Sequence, residues 1–374
     1  MRNRVAGRMA ATAGAALALA FGAAPAHAEK IANSYICVFK KDRVAQDEVR
    51  GRANAAVRAH GGSIKFVYEH ALKGFAANMS EQAATAMRRS NPSIAYCEQD
   101  QVAHAIGINA RGKPGGGTTA GQTTPWGITR VNGGVEAIGK TAWIIDSGID
   151  PTHADLEVDN ARSADFTGSR SGWKDENGHG SHVAGTVAAK DNEIGVIGVA
   201  AGASVVAVRV LDRRGSGAYS GVIAGVNHVK ANGKAGDVAN MSLGGPVSQA
   251  LDDAVLGAAG TVKFVLAAGN ESDNFNNHSP ARAGGVDGGD NVFTVSASTN
   301  TNALASFSNY GIGIAYAEPG ASIYSTYKDG GYATLSGTSM AAPHLAGLLL
   351  LGAVRSGGTI SGDKDGSPDV IGVR

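Results

Sequence analysis

Cysteine is scarce in this chain of 374 residues, which contains only Cys37 and Cys97. Two cysteines are too few for a thiolate metal cluster or for a scaffold of several disulfides. The net charge is also small, at +1. A chain so close to neutrality has no strong field to attract nucleic acid or an anionic membrane surface, so we expect neither as a partner.

Beyond the N-terminal segment, the sequence also lacks long apolar runs. The N-terminal segment itself has the three parts of a secretory signal peptide. Three arginines among the first eight residues precede an alanine-rich apolar run over 9–24, and Ala26-His27-Ala28 offers a small-residue cleavage site. A membrane anchor, the alternative, needs about 20 apolar residues. We therefore predict a signal peptide over 1–28, secretion to the periplasm or the medium, and no membrane attachment after cleavage.

Residues 29–105 form a small unit in which the element order β-α-β-β-α-β predicts a ferredoxin-like fold. Cys37 and Cys97 fall on its first and last strands, which are neighbours in such a sheet. They either form a disulfide after export or remain two buried free thiols. The predicted strands cover 35–39, 64–68, 74–79 and 94–98, and the predicted helices cover 45–60 and 80–89.

A glycine-rich stretch over 106–120 follows and indicates a linker or processing region. From residue 121 to residue 374, apolar runs of about five residues alternate with helical segments. Such runs are typical of strands that are buried on both faces in a parallel sheet. We predict a doubly wound, mostly parallel α/β domain with strands near 141–145, 204–210, 238–241, 262–267 and 292–296.

Ser339 lies in Gly337-Thr338-Ser339-Met340-Ala341-Ala342-Pro343-His344, just before an apolar helical run over 345–351. The first turn of a helix offers unpaired N–H groups and the positive end of the helix dipole, and both favour a developing anion. A serine hydroxyl still needs a base before it acts as a nucleophile. Ser339 is therefore a candidate nucleophile, with a simple helix cap as the alternative.

His179 is the candidate base, because a glycine on each side leaves its ring accessible. His182 follows three residues later and could share a metal with it. No third ligand falls at zinc spacing, however, so we expect a core or capping position for His182.

Two aspartates follow the first apolar strand of the large domain. Asp146 ends that strand, where the sites of open α/β sheets lie, and a carboxylate there can fix the tautomer of a histidine. Asp150 is better suited to capping a turn. Asn270 ends another strand and could donate to the oxyanion of a tetrahedral intermediate. The chain order Asp, His, Ser is that of subtilisin, and the Gly-x-Ser-x-Gly elbow of lipases and esterases is absent.

Together these motifs resemble those of the subtilisin-like serine proteases, of the subtilisin and proteinase K kind, over roughly 120–355. The resemblance implies a secreted serine endopeptidase with Asp146, His179 and Ser339 as its triad and Asn270 as oxyanion donor. A catalytically silent secreted binding or inhibitor protein with the same fold is the alternative. The segments that carry the resemblance are 146–150, 179–185, 242–245, 268–270 and 337–344.

The resemblance also assigns residues 29–105 as an inhibitory propeptide that the enzyme removes itself, near Ala105 or near Thr119–Gly121. It implies protein or peptide substrates and a monomer. One edge of the substrate cleft would be the segment Ser242, Leu243 and Gly244, and the opposite edge would contain Gly217 and Tyr219. Both edges would pair with the substrate backbone as added β-strands do.

A structural calcium site is a further implication, with a plain surface loop as the alternative. Calcium prefers oxygen ligands. The implied ligands are the side chains of Gln122, Asp155 and Asn192 and the backbone carbonyls of Lys190, Ile194 and Val196. The resemblance gives no guidance for 359–374, which is polar and ends sooner than is usual in the family, so the packing of the last element stays open.

Overall fold

The computed structural model describes residues 29–109, 121–284 and 291–374. The predicted signal peptide over 1–28 and most of the predicted linker, 110–120, lie outside the described residues. Within those three ranges, no helix is both long enough and apolar enough to cross a membrane.

The small unit has the predicted element order and forms an antiparallel sheet in the order β4-β1-β3-β2. Ser80 caps its second helix by accepting a hydrogen bond from the N–H of Ala83 at 3.2 Å. The first helix begins later than predicted, after a 3-10 turn. The elements are β1 (Lys30–Phe39), α1 (Val49–Ala59), β2 (Ser63–Tyr68), β3 (Gly74–Asn78), α2 (Glu81–Ser90) and β4 (Ile94–Ala105).

Strand β4 is much longer than the predicted 94–98, which was wrong in length. Its second half finds partners in the large domain and so continues as a strand to Ala105. In its first half, Cys97 lies directly opposite Cys37 of β1. The two residues are joined by a disulfide, so the alternative of two free thiols is not the one found.

The large domain contains the predicted parallel sheet. Six strands are neighbours in the order β18 (Tyr316–Pro319), β17 (Val292–Ser298), β15 (Lys263–Ala267), β13 (Val238–Met241), β7 (Thr141–Asp146) and β11 (Ser204–Arg209). The predicted apolar runs all appear as strands, with ends shifted by at most two residues. The elements up to the centre of the domain are β5 (Ile108–Asn109), α3 (Trp126–Arg130), β6 (Val135–Glu136), β7 (Thr141–Asp146), β8 (Glu157–Val158), β9 (Ala164–Asp165), α4 (His179–Ala188), β10 (Ala200–Ala201), β11 (Ser204–Arg209), β12 (Ser216–Ala218), α5 (Tyr219–Asn232), β13 (Val238–Met241) and β14 (Leu243–Pro246).

The C-terminal half supplies the remaining strands and the helix of the candidate nucleophile. Its last strand, β22, pairs with β18 and so extends the main sheet, which shows how the last element packs. The elements are α6 (Gln249–Ala258), β15 (Lys263–Ala267), β16 (His278–Ser279), β17 (Val292–Ser298), β18 (Tyr316–Pro319), β19 (Ile323–Thr326), β20 (Tyr332–Ser336), α7 (Thr338–Leu351), β21 (Arg355–Thr359) and β22 (Val370–Val373).

Helices cover both faces of the main sheet. Alternate residues of a strand point to opposite faces, and β7 shows the division. Trp143 and Ile145 pack with α5 and α6, whereas Ala142 and Ile144 pack with α4 and α7. The apolar outer face of the small unit's sheet joins the first of these two clusters, so the small unit lies on α5 and α6.

Candidate active site

Asp146 and His179 form a buried pair at the carboxyl end of the main sheet. Asp146 is the last residue of β7, and His179 is the first residue of α4. The His179 Nδ1 atom lies 2.8 Å from Asp146 Oδ1 and 2.9 Å from Oδ2. Burial alone would lower the pKa of His179, but the charge of Asp146 and its hydrogen bond outweigh burial, so the pKa is raised above its usual value.

Asp175 holds this pair in place, and the sequence motifs gave no sign of it. Its carboxylate accepts hydrogen bonds from the Ser147 hydroxyl at 2.9 Å and from the Gly178 N–H at 2.8 Å. The Ser147 hydroxyl in turn accepts from the N–H of Gly180 at 3.0 Å. Asp175 therefore ties the residue after Asp146 to the first turn of the helix that carries His179.

Ser339 is the second residue of α7 and is completely buried. Its hydroxyl donates to the carbonyl oxygen of Ser242 at 3.0 Å, and the Ser242 hydroxyl donates back to the carbonyl oxygen of Ser339 at 2.9 Å. No hydrogen bond joins Ser339 to His179, whose Nε2 atom lacks a partner in the described part of the chain. The Asp146–His179 pair and Ser339 therefore belong to two separate hydrogen-bond networks in this structure.

Asn270 faces the same cleft. Its Oδ1 atom accepts from the N–H of Thr338 at 2.9 Å, which fixes the amide and points Nδ2 outward. Nδ2 then donates to the carbonyl oxygen of Ile106 at 3.1 Å. Gly337 leaves room for this contact, because a Cβ atom there would come within 2.7 Å of that oxygen, and its φ of +151° also favours glycine.

Most of the predicted substrate-binding residues contact the chain's own segment before Ile106. Strand β4 pairs with β12 on one side and with β14 on the other. The pairs are Ala103 with Gly217, Ala105 with Leu243, and His104 with Gly244, and the Ser242 carbonyl accepts from the N–H of Ile106. Tyr219 differs, since it is buried and its hydroxyl donates to the carbonyl oxygen of Pro246 at 2.7 Å.

Two acidic residues of β4 cap helices of the large domain, a contact that sequence motifs alone did not predict. Asp100 accepts from the N–H of Ser220 at 3.0 Å, in the first turn of α5. Glu98 accepts from the N–H of Gln249 at 3.1 Å, in the first turn of α6. Carboxylates are favourable at helix N-termini because unpaired N–H groups point there. These caps bind the small unit to the large domain.

The predicted calcium ligands converge around Asp155, which is completely buried. Its Oδ2 atom accepts from the N–H of Val196 at 3.0 Å, while its Oδ1 atom has no hydrogen-bond partner. Gln122 Nε2 donates to the carbonyl oxygens of Lys190 at 2.8 Å and of Val196 at 3.4 Å. Burial raises the pKa of Asp155, and the hydrogen bonds from the Val196 N–H and the Tyr332 hydroxyl oppose that rise.

Two other predicted ligands stand close by. Asn192 Oδ1 accepts from the N–H of Ile194 at 3.3 Å, which places both in the same loop. In the described ranges, no three His, Cys, Asp or Glu side chains gather at a spacing that could hold a metal. A cation here would therefore depend on one carboxylate together with amide and carbonyl oxygens.

The remaining predicted positions have structural contacts. His182 lies in the core, and its Nε2 atom is 3.0 Å from the carbonyl oxygen of Ile323. Burial lowers the pKa of His182 to about 3, so its ring is neutral. Asp150 caps a turn as expected, since its Oδ1 atom accepts from the N–H of Thr152 at 3.0 Å.

Comparison with known proteins identifies the class and then the family. An alkaline serine exoprotease of Vibrio alginolyticus is 38% identical over 86% of this chain and 60% of its own length. A subtilisin-like serine protease of Sarocladium strictum is 35% identical over 89% of this chain and 86% of its own length. Both relatives are named as serine proteases, and this is the class of protein that the chain resembles.

The family follows from the sequence profile and from a solved structure. The profile of the subtilase family matches residues 141–353, so the chain belongs to the subtilase family. A solved cold-adapted subtilisin-like serine proteinase is 36% identical and superposes with a TM-score of 0.58, covering 66% of this chain and 96% of that protein. The predicted fold class of the large domain is thereby confirmed.

Proposed function

We propose that this chain is a secreted serine endopeptidase that acts through an acyl-enzyme, with Ser339, His179 and Asp146 as its triad. The observation that supports this best is the hydrogen bond from Asn270 Nδ2 to the carbonyl oxygen of Ile106, at 3.1 Å. It places a peptide bond of the chain in the cleft with its carbonyl on a fixed amide donor. That is the arrangement in which the developing negative charge of acyl transfer is stabilised.

In the proposed reaction, the Ser339 hydroxyl turns from the Ser242 carbonyl towards the unpartnered Nε2 atom of His179. His179 takes the hydroxyl proton as Oγ attacks the substrate carbonyl carbon, and later gives that proton to the leaving amine. Asp146 holds Nδ1–H and stabilises the imidazolium. Water then attacks the ester carbonyl and loses a proton to His179. The bond from the carbonyl carbon to Ser339 Oγ breaks, His179 returns the proton to Oγ, and the acyl group leaves as a carboxylic acid.

We further propose that residues 29–105 are an inhibitory propeptide that the enzyme removes itself. Strand β4 fills the cleft between β12 and β14, as a bound peptide substrate would. Asp100 and Glu98 add two helix caps that bind this unit from outside the cleft. The mature enzyme would act on protein or peptide substrates as a monomer, after export directed by residues 1–28.

A calcium ion is proposed to stabilise the large domain at Asp155. The residues fit such an ion, since a completely buried carboxylate has one oxygen without a partner. Asn192, the carbonyls of Lys190, Ile194 and Val196, and Gln122 with its amide turned would complete a set of oxygen donors. When bound, the ion would supply positive charge that holds the loop over 190–196 to Asp155.

The test compares the wild-type chain with Ser339→Ala, using casein hydrolysis and the size of the secreted protein. We expect Ser339→Ala to lose casein hydrolysis and to accumulate as an unprocessed precursor, because no alkoxide can form. Ser367→Ala, on the exposed C-terminal loop, serves as the matched control and should behave like the wild type. A wild-type chain that binds casein without cleaving it would favour the silent binding protein instead.

A further inference from the structure

The segment before Ile106 is held in one register from both sides. In strand β4, Val102 pairs with Ala218 and His104 with Ser216, while on the other side Ala105 pairs with Leu243. A strand that pairs on both edges cannot slip by one residue without turning each side chain to the opposite face. The residue that reaches the catalytic groups is therefore set by this pairing.

Ile106 is the residue so placed. Its N–H donates to the carbonyl oxygen of Ser242 at 3.3 Å, and the Ser339 hydroxyl donates to that same oxygen at 3.0 Å. Its own carbonyl oxygen accepts from Asn270 Nδ2. Ser339 thus lies beside the one residue whose carbonyl oxygen Asn270 holds. By contrast, the N–H of Ala105 donates to the carbonyl oxygen of Gly215 at 2.8 Å, on the opposite edge.

Gly107 lies on the leaving-group side, against the base. A Cβ atom on Gly107 would come within 3.3 Å of His179 Nε2, so the absence of a side chain allows this close approach. Beyond it, strand β5 pairs with β20, with Ile108 opposite Ser336 and Asn109 opposite Leu335. The chain is therefore held on both sides of a single peptide bond.

We infer that the first self-cleavage breaks the bond between Ile106 and Gly107, an inference that depends on the proposed peptidase function. Ser339 Oγ forms an ester with the carbonyl carbon of Ile106, and the C–N bond to Gly107 breaks. The Gly107 nitrogen leaves as an amine with the proton that His179 carries. Water hydrolyses the ester to a propeptide ending in the carboxylate of Ile106. The new N-terminus is Gly107, which lies between the two regions predicted from the sequence.

The test follows the full-length wild-type chain over time and identifies the earliest propeptide fragment by intact mass and the earliest new N-terminus by sequencing. We expect a fragment ending at Ile106 and an N-terminus at Gly107, and neither in Ser339→Ala. An earliest fragment that ends at Ala105, or within 119–121, would overturn the inference while leaving the peptidase function standing. Processing at an unchanged rate in purified Ser339→Ala would overturn the peptidase function itself.

A substitution provides a second measure. Ile106→Asp would place an unpaired carboxylate in a half-buried position. It would lie beside Gly244, where an added Cβ atom would be 2.9 Å from Ile106 Cδ1, and the change should slow this cleavage by about tenfold or more. Ile312→Asp makes the same change at an isoleucine that is 77% exposed and lies outside the cleft, so it should process normally. Equal rates for the two variants would count against the inference.

A peptide of residues 101–109 avoids any dependence on folding of the variants. Mature enzyme should cut it between Ile106 and Gly107. Cleavage only at another bond would contradict the assignment.

Discussion

Among single side chains, Asp175 combines complete enclosure with an unusually full set of hydrogen bonds. The N–H groups of Asn177 at 2.9 Å and of Ser181 at 2.9 Å donate to it, in addition to the Ser147 and Gly178 donors already described. The Ser181 hydroxyl donates as well, at 2.7 Å. These hydrogen bonds keep the first turn of α4 fixed. The charge of Asp175 also favours the protonated form of the His179 ring, which is the first residue of that helix.

We predict that Asp175→Asn moves the acidic limb of the kcat/KM profile to lower pH. The charge of Asp175 contributes to the raised pKa of His179, alongside the larger effect of Asp146. Activity requires the neutral imidazole, so a lower pKa of His179 extends activity to more acidic solutions. The measurement is kcat/KM for a peptide substrate as a function of pH.

The control for this prediction is Asp329→Asn, which removes the same charge from a side chain that is 72% exposed. Its profile should match that of the wild type. A limb that stays in place in Asp175→Asn, or moves to higher pH, would show that Asp175 contributes only to packing.

Asn270→Ala should lower kcat by about 10²–10³, a magnitude known from the corresponding donor in subtilisin. In the proposed reaction the Asn270 amide donates to the charge that develops in the transition state, so KM should change much less than kcat. Asn276→Ala, at a nearby exposed position, should stay within about twofold of the wild type. A loss confined to KM would place Asn270 in substrate binding instead.

At the scale of elements, β4 is the strand on which the two domains meet. Its first half belongs to the sheet of the small unit, where Cys97 is bonded to Cys37. Its second half lies in the cleft of the large domain. A change that destabilises the sheet of the small unit should therefore also weaken binding of the second half of β4 in the cleft.

Removing the disulfide should destabilise the small unit by about 2–4 kcal/mol, because a cross-link between strands restricts the unfolded chain. The comparison is Ser339→Ala against the same chain with Cys37→Ser and Cys97→Ser, measured by urea unfolding of the precursor. The transition of the small unit should move to lower urea, and treatment with dithiothreitol should move it only in the chain that retains both cysteines. Identical midpoints would mean that the disulfide adds no stability.

The elements differ in how well the sequence predicts them, for a physical reason. The central strands are apolar on both faces and so appear as apolar runs; in β15 (Lys263–Ala267), residues 264–267 are all apolar and buried. The second half of β4 contains Gln101 and His104, and only its partners in another domain make it a strand. No local pattern records such long-range pairing.

The site divides in the same way. Asp146, His179 and Ser339 stand at element ends, which local sequence indicates. Asn270 was predicted to end a strand, but β15 ends at Ala267, and Asn270 lies in the loop that follows. The bond from Ser339 to the Ser242 carbonyl depends on two segments meeting in space. So do the caps that Glu98 and Asp100 provide, and neither could be predicted from spacing.

For the whole molecule, calcium is expected to raise the thermal stability of the large domain. An ion that binds only the folded state stabilises it by mass action. In the Ser339→Ala chain, which cannot digest itself, EDTA should lower Tm and added calcium should restore it. Asp155→Asn should abolish this dependence, whereas Asp329→Asn should retain it. A Tm that is indifferent to calcium in the parent chain would contradict the proposed site.

The small unit caps the N-termini of α5 and α6, and these two helices differ in whether the large domain also supplies a cap. Helix α6 has a cap of its own, because the Ser248 hydroxyl accepts from the N–H of Leu251 at 3.2 Å. Helix α5 begins after Ala218 and has no side-chain cap from its own sequence. Once Asp100 leaves, only water can satisfy the first turn of α5, so this turn should fray and exchange its amide hydrogens sooner than its neighbour.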